Sequence, residues 1–106
     1  MRRQKYGNTK TADGFDSKHE RSVYLSLISD ASVASVDRQV RYVLIPSQKG
    51  ELGKVIERPC AYVADFRVTY HDGRVDIVDA KGVKTADYII KRKLMLFIHG
   101  IRVIER

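Results

Sequence analysis

Residues 63–82, "VADFRVTYHDGRVDIVDAKG", decide the fold, because they read as two strands joined by a tight turn. Val, Ile, Phe and Tyr are frequent in both arms, and these residue types favour β-strands. Asp65, Asp79 and Lys81 nevertheless stand among side chains that are expected to be half-buried. Charged groups are costly to bury without a partner, so two acids and a lysine at these positions need a chemical explanation.

Two turns are compatible with this stretch. If the Asp-Gly pair at 72–73 forms a two-residue turn, Asp65 faces Ala80, and the two acids point to opposite faces of the sheet. If residues 71–73 form a three-residue loop with the glycine in the left-handed conformation, Asp65 lies directly opposite Asp79. The turn residues alone do not choose between these registers.

The three-residue register pairs Phe66 with Val78 on an apolar face, but it leaves the carboxylates of Asp65 and Asp79 roughly 5 Å apart, which is destabilising by itself. A divalent cation reverses the sign of that interaction, since Mg²⁺ prefers carboxylate and carbonyl oxygens. Lys81 shares their face and would orient a water or neutralise phosphate charge. The alternative is that Asp65 pairs with an arginine and the other two residues mark a fraying strand end.

Composition narrows the class of protein. A chain of 106 residues with 43% apolar residues is expected to fold as one domain. The formal net charge is +7 and the pI is near 9.7, which indicates a polyanionic partner such as nucleic acid. No apolar run approaches the roughly 20 residues of a membrane span. The single cysteine, Cys60, excludes an internal disulfide, and an intracellular location is expected.

The periodicity predicts six elements after a basic, flexible arm at residues 1–14, with residues 15–106 as a single domain. In order, these elements are a helix from residue 15, strands at 36–46, 60–70 and 74–81, a helix at 86–99 and a short strand at 101–105. Residues 47–58 read as a polar loop. The apolar stripe of the second helix predicts that Ile90, Leu94, Phe97 and Ile98 face inward.

An acid on one strand, followed by acid-x-lysine on the next, resembles the PD-(D/E)xK nuclease superfamily; here these are "AD" at 64–65 and "DAK" at 79–81. The order of elements in that superfamily is the one predicted above. The chain is similar to a family of small phage-encoded members related to Holliday junction resolvases. That family shares four sequence pieces, which occur here as "KYGN" at 5–8, "FDSKHE" at 15–20, "ADF" at 64–66 and "DAKG" at 79–82.

The resemblance implies an α/β fold with a restriction-endonuclease-like core, in the order α-β-β-β-α-β, with a central mixed sheet flanked by helices. It also implies that Asp65, Asp79 and the carbonyl of Ala80 hold Mg²⁺ or Mn²⁺, and that Lys81 serves the water and the scissile phosphate. Two departures are visible. Ala64 stands where the superfamily has proline, and Asp79 stands where glutamate is common.

Glu20 has two competing interpretations. The resemblance implies a fourth catalytic acid on the first helix, approaching the metal directly or through water. The spacing from Ser17 to Glu20 also predicts a capping box, in which the glutamate bonds back to the backbone of Ser17. One carboxylate is not expected to do both.

Basic side chains outside the motif are candidates for contacts with DNA. "KRK" at 91–93 reads equally well as a solvated helix face. Contacts of this kind position DNA without reading its sequence. The candidates are Arg2, Arg3, Lys5, Lys10, Lys18, Lys84, Lys91 and Lys93.

Taken together, the resemblance implies a magnesium-dependent endonuclease, namely a Holliday junction resolvase, that acts on branched DNA in recombination. It also implies that the protein is encoded by a phage and acts in the cytoplasm of a bacterial host. A four-way junction has two equivalent strands to cut, so a two-fold homodimer is expected. Its interface is predicted at the first helix and the strand at 36–46. The alternatives are a nicking or repair-type nuclease on duplex DNA and a non-catalytic DNA-binding module of the same fold.

Overall fold

The structure is a computed structural model, and it describes residues 11–106. The predicted arm at 1–14 therefore lies mostly outside the described residues. Its last four residues form a hydrogen-bonded turn, in which the Thr11 amide donates to the carbonyl of Phe15 at 2.8 Å. Phe15 itself is buried and packs in the core.

A mixed four-stranded sheet forms the centre of the fold. The elements along residues 11–106 are α1 (Lys18–Ile28), β1 (Val33–Ile45), β2 (Gln48–Lys49), β3 (Val55–Glu57), β4 (Cys60–Tyr70), β5 (Val75–Asp79), α2 (Ala86–His99) and β6 (Ile104–Glu105). Strands β1, β4, β5 and β6 lie side by side in that order. The first two pairings are antiparallel and the last is parallel. The prediction of an α/β fold with a central mixed sheet flanked by helices is confirmed.

Both helices begin at residues whose side chains cap them. Ser17 Oγ accepts from the Glu20 amide at the start of α1, and Thr85 does the same for the Tyr88 amide at the start of α2. Gly100 ends α2 in the left-handed conformation, with φ of 66°. These three signals set the helix bounds.

The β4–β5 hairpin adopts the three-residue loop. The Tyr70 amide donates to the Arg74 carbonyl at 2.8 Å, and Gly73 has φ of 89°. Phe66 pairs with Val78, as this register requires. The alternative that places the two acids on opposite faces is therefore excluded.

Two apolar clusters hold the helices on the sheet. Strand β5 contributes neighbouring residues to different clusters, Ile77 to the cluster of α2 and Val78 to the cluster of α1, so the strand is covered on both sides. The first cluster contains Leu44, Tyr62, Ala64, Ile77, Tyr88, Met95 and Val103. The second contains Phe15, Val23, Leu27, Phe66, Val68 and Val78.

The polar loop predicted at 47–58 is wrong in part, because β2 and β3 form a small antiparallel hairpin there. A turn closes it, with the Gly50 amide donating to the Lys54 carbonyl at 2.9 Å. Leu52 is 88% exposed and Ile56 is 69% exposed. The hairpin thus forms through backbone pairing and carries its apolar side chains outward.

The predicted inward face of α2 is wrong in part. Leu94 packs against the first cluster as predicted, but Ile90 is 58% exposed and Phe97 is 87% exposed. Tyr88 and Met95 are buried instead. The helix has apolar residues on two sides, and the side that carries Tyr88 packs on the sheet. No helix within residues 11–106 is long and apolar enough to cross a membrane.

Candidate active site

A cavity of about 260 Å³ opens where the start of α1 meets the middle of β4 and the segment that follows β5. Its walls bring together residues far apart in sequence: Asp16, Glu20, Asp65, Ala80, Lys81, Gly82, Val83 and Thr85. Four of the residues predicted from the sequence, Glu20, Asp65, Ala80 and Lys81, are therefore gathered at one place.

Asp65 and Asp79 tie their two strands together through their carboxylates. The Asp65 amide donates to Asp79 Oδ1 at 2.9 Å, and the Ala80 amide donates to Asp65 Oδ2 at 2.9 Å. Each acid thus accepts a backbone hydrogen bond from the partner strand just beyond the last paired residues. Such bonds favour the charged form and fix the orientation of both side chains.

Asp79 is completely buried and does not belong to the cavity wall. Its second oxygen, Oδ2, accepts a hydrogen bond from the Tyr62 hydroxyl. Burial raises the pKa of Asp79, while the Asp65 amide and the charge of Lys81 act in the opposite direction. Of the two motif acids, Asp65 faces the cavity and Asp79 braces the backbone of Asp65.

Glu20 bonds back to the start of its helix and also lines the cavity. Ser17 Oγ accepts from the Glu20 amide at 3.1 Å, and Glu20 Oε2 accepts from the Asp16 amide at 2.8 Å instead of from the predicted Ser17 backbone. The same side chain is 3% exposed and lies in the cavity wall. One carboxylate oxygen is therefore used at the helix start, and the other is left for a second contact.

Gln39 makes that second contact, and sequence reasoning missed it. Its Nε2 donates to Glu20 Oε1 at 3.2 Å, and its side chain acts to lower the pKa of Asp65 against the larger, raising effect of burial. Gln39 is the one non-glycine residue with positive φ within residues 11–106, at 53°. Strand patterns carry no signal for such a conformation, so nothing in the sequence identifies it.

Asp16 is the other missed acid. It lines the cavity just ahead of the helix cap. Burial raises the pKa of Glu20, and the nearby charges of Asp65 and Asp16 raise it further. Burial likewise raises the pKa of Asp65, against the Ala80 amide and Lys81. The cavity therefore concentrates negative charge that a cation would offset.

Lys81 reaches the cavity beside an aromatic ring. Its Nζ lies 4.6 Å from the centroid of the Tyr88 ring, a cation–π contact. The Tyr88 hydroxyl donates to Glu105 at 2.7 Å. Tyr88 therefore links the cavity lysine to the last strand of the sheet.

The cavity offers oxygen donors of the type that Mg²⁺ prefers, namely the carboxylates of Glu20 and Asp65 and the backbone at Ala80. Within the described part of the chain, no three His, Cys, Asp or Glu side chains are already arranged as a metal site. The donor chemistry fits a cation that keeps several of its waters, because Mg²⁺ is held by few protein ligands. Asp79 stays outside this donor set while it is bonded to Tyr62.

Residues 3–100 match the model of a family described as "Protein of unknown function (DUF1064)". The chain belongs to this DUF1064 family. All four sequence pieces quoted above, from residue 5 to residue 82, lie inside the matched region. Among curated proteins and among solved structures, nothing matches the chain.

The predicted DNA contacts of this DUF1064 chain divide into two groups. Arg2, Arg3, Lys5 and Lys10 lie outside the described residues. The others lie on the described helices or beside them. Lys18 and Lys93 are exposed, and Lys91 is partly buried. Lys84 is exposed and pairs with Glu105 at 3.2 Å.

A second, basic cavity of about 330 Å³ lies between α2 and β6, and Arg92, Lys93 and Arg102 contribute to its wall. Arg92 also bonds Glu105 at 3.1 Å. The Tyr88 hydroxyl, Arg92 and Lys84 together lower the pKa of Glu105 to about 2. Glu105 thus pairs with Lys84, which lies beside the first cavity, and with Arg92, which lies in the wall of the second. Arg92 and Arg102 are functional candidates that the sequence analysis missed, although Arg92 stands inside the "KRK" run.

Proposed function

We propose that this chain is a metal-dependent DNA endonuclease of the PD-(D/E)xK type that hydrolyses phosphodiesters in branched DNA, with the four-way Holliday junction as its substrate. The observation that carries the proposal is the three-residue register of the β4–β5 hairpin. It sets Asp65 beside Asp79 and brings Glu20 and Lys81 to the same cavity as Asp65.

Each residue has a role that its position supports. Glu20, Asp65 and the Ala80 carbonyl would hold Mg²⁺, which supplies an activated water and neutralises phosphate charge when bound. Lys81 stabilises the charge that develops on the phosphate. Asp79 orients Asp65, and joining the ligand set itself would require release from Tyr62.

The DNA backbone would run from the acidic cavity past Lys84 towards the basic cavity of Arg92, Lys93 and Arg102. Cations in a row match the regular spacing of phosphates along a strand. None of these side chains belongs to a module for reading bases, which agrees with an enzyme selective for DNA shape.

The partner in the assembly would be a second copy of the chain, giving two cutting sites for two equivalent strands. The exposed apolar face of α2 supports this, since Ile90, Leu96 and Phe97 are each more than half exposed. This face is a second candidate interface beside the predicted one at the first helix and the strand at 36–46. The enzyme would act in the cytoplasm of a bacterial host.

One observation favours a second candidate, the non-catalytic DNA-binding module. Both carboxylate oxygens of Asp79 are already engaged, and no ready ligand set occurs within residues 11–106. In that case the acids would serve only to join the strands. Against this candidate, burial raises the pKa of Glu20, Asp65 and Asp79. A bound cation would offset the cost of burying these charges, whereas a purely structural role would not.

The experiment that tests the proposal is cleavage of an end-labelled synthetic four-way junction beside the matching linear duplex, with Mg²⁺ and with chelator. Paired cuts in the junction alone, dependent on metal, are expected. Cutting of both substrates would indicate the nicking or repair-type nuclease. Tight junction binding without any cutting would identify the binding module and refute the endonuclease.

A further inference from the structure

Gln39 has a backbone conformation that its residue type does not favour. Its φ is 53°, in the left-handed region, where non-glycine residues other than Asn and Asp are uncommon. It lies inside β1, between pairs that keep a regular register: Arg38 with Phe66 on one side and Val40 with Ala64 on the other. Such strain persists only where the surroundings hold the residue in place.

Core packing does not hold Gln39, because the residue is exposed. Its register position is opposite Asp65, between the Arg38–Phe66 and Val40–Ala64 pairs. Its side-chain Nε2 donates to Glu20 Oε1 at 3.2 Å. The strained conformation is thus accompanied by a polar contact to one cavity acid and by a position opposite the other.

A primary amide suits this position, since its NH₂ group has two donors, one of which bonds Glu20 while the other can serve a neighbouring acceptor. The bond joins Gln39 of β1 to Glu20 of α1, and Gln39 lies opposite Asp65 of β4 in the sheet. Glu20 Oε2 and Asp65 Oδ2 accept from the Asp16 and Ala80 amides. Both carboxylates are therefore held in one orientation before any cation arrives.

We propose that Gln39 is a positioning residue for the metal site. Its amide sets the spacing and orientation of Glu20 and Asp65 so that both bind one divalent cation. This rests on the proposed function, because it assigns these carboxylates to the metal. Groups that orient metal ligands without touching the metal typically contribute about 10–100-fold to affinity. The same loss is expected when the amide is removed.

Two substitutions test the proposal. Gln39→Gly removes the amide and relieves the backbone strain, and Gln39→Asn keeps an amide that is too short to bridge while tolerating positive φ. Gln48→Gly is the matched control, since Gln48 is also an exposed strand glutamine but lies in β2 and outside the cavity wall. Each variant is measured for thermal unfolding without metal, for Mn²⁺ affinity by calorimetry, and for junction binding in chelator.

Both Gln39 variants are expected to remain folded, to bind the junction as the wild type does, and to lose roughly 10–100-fold in Mn²⁺ affinity. The control is expected to match the wild type. Unchanged Mn²⁺ affinity in Gln39→Gly would overturn the proposal, as would a wild type that binds no Mn²⁺. Weakened Mn²⁺ binding in a protein that cuts no DNA would uphold the role of Gln39 and refute the endonuclease.

Discussion

Asp65 and Asp79 are joined by a hydrogen bond between the amide of the first and the carboxylate of the second, at 2.9 Å. The bond lies just beyond the last paired residues of β4 and β5, where the strands separate to form the cavity. Asp79 is buried at this point and also bonded to Tyr62. Because Asp79 is buried and orients Asp65, changes at these two residues are expected to alter both the stability of the fold and the activity of the site.

Asp79→Asn should stabilise the metal-free protein at neutral pH. Burial raises the pKa of Asp79 above its ordinary value of 3.8. The folded state therefore holds this proton more tightly than the unfolded state does. The contribution of Asp79 to the free energy of unfolding is therefore fully present below the ordinary pKa of 3.8 and is lost as the pH rises through the raised pKa. Asparagine removes that loss because it cannot ionise.

The measurement is thermal unfolding of wild type and Asp79→Asn in chelator, from acid to neutral pH. The variant's advantage should grow as pH rises through the window above 3.8 and should disappear in acid. An advantage that is the same at every pH would show that Asp79 is not the titrating group.

Divalent metal should stabilise the wild type through Glu20 and Asp65. A ligand that binds only the folded state adds about 2.7 kcal/mol at a concentration 100 times its Kd. Mg²⁺ or Mn²⁺ should therefore raise the melting temperature of the wild type but not that of Asp65→Asn or Glu20→Gln. Differential scanning calorimetry with and without chelator measures this, and an equal shift in all three proteins would contradict the assignment.

Lys81→Ala should lower the cleavage rate by roughly 10²–10³-fold with little change in metal affinity, because the lysine acts on developing phosphate charge. Lys54→Ala is the matched control, since Lys54 is exposed on the β2–β3 hairpin. Single-turnover cleavage of bound junction separates this effect from binding. A rate that falls equally in both variants would point to a general loss of charge.

Arg92→Gln and Arg102→Gln should each weaken DNA binding regardless of sequence. A lost phosphate contact reduces the salt slope of log affinity by about 1. Junction binding over a range of salt concentrations gives the slope, and Arg67→Gln serves as the control, because Arg67 pairs with Asp37 at 2.9 Å instead of lining the basic cavity. Unchanged slopes for both cavity arginines would remove the basic cavity from the DNA path.

Phe97→Glu should convert a homodimer into a folded monomer. The ring is 87% exposed, so the change should leave the stability of the isolated fold nearly unaltered. Leu52→Glu is a matched control with 88% exposure on the β2–β3 hairpin. Light scattering after gel filtration gives the masses. A Phe97→Glu dimer, or a wild type that is monomeric, would refute this interface.

Local signals predicted much of the fold. Ser17, Thr85 and Gly100 cap the helices as their residue types predict, because capping depends on a few neighbouring atoms. The hairpin register was limited to two alternatives, and the glycine in the third loop position agreed with the one observed. The order of main strands and helices followed from periodicity.

Features that depend on tertiary packing escaped prediction. The apolar stripe of α2 has the same period whether it meets a core or a partner, so Phe97 was placed on the wrong side. The left-handed conformation of Gln39 accompanies a contact between β1 and α1, and no strand pattern encodes it. The burial of Asp79 depends on Tyr62, which is 17 residues away along the chain.

The most direct test of the central claim compares wild type with Asp65→Asn on one labelled four-way junction in Mg²⁺. Paired, symmetric cuts are expected from the wild type and none from the variant, which should still bind the junction in chelator with similar affinity. Equal cutting by both proteins, or no cutting by the wild type, would contradict the assignment of this cavity as a nuclease site.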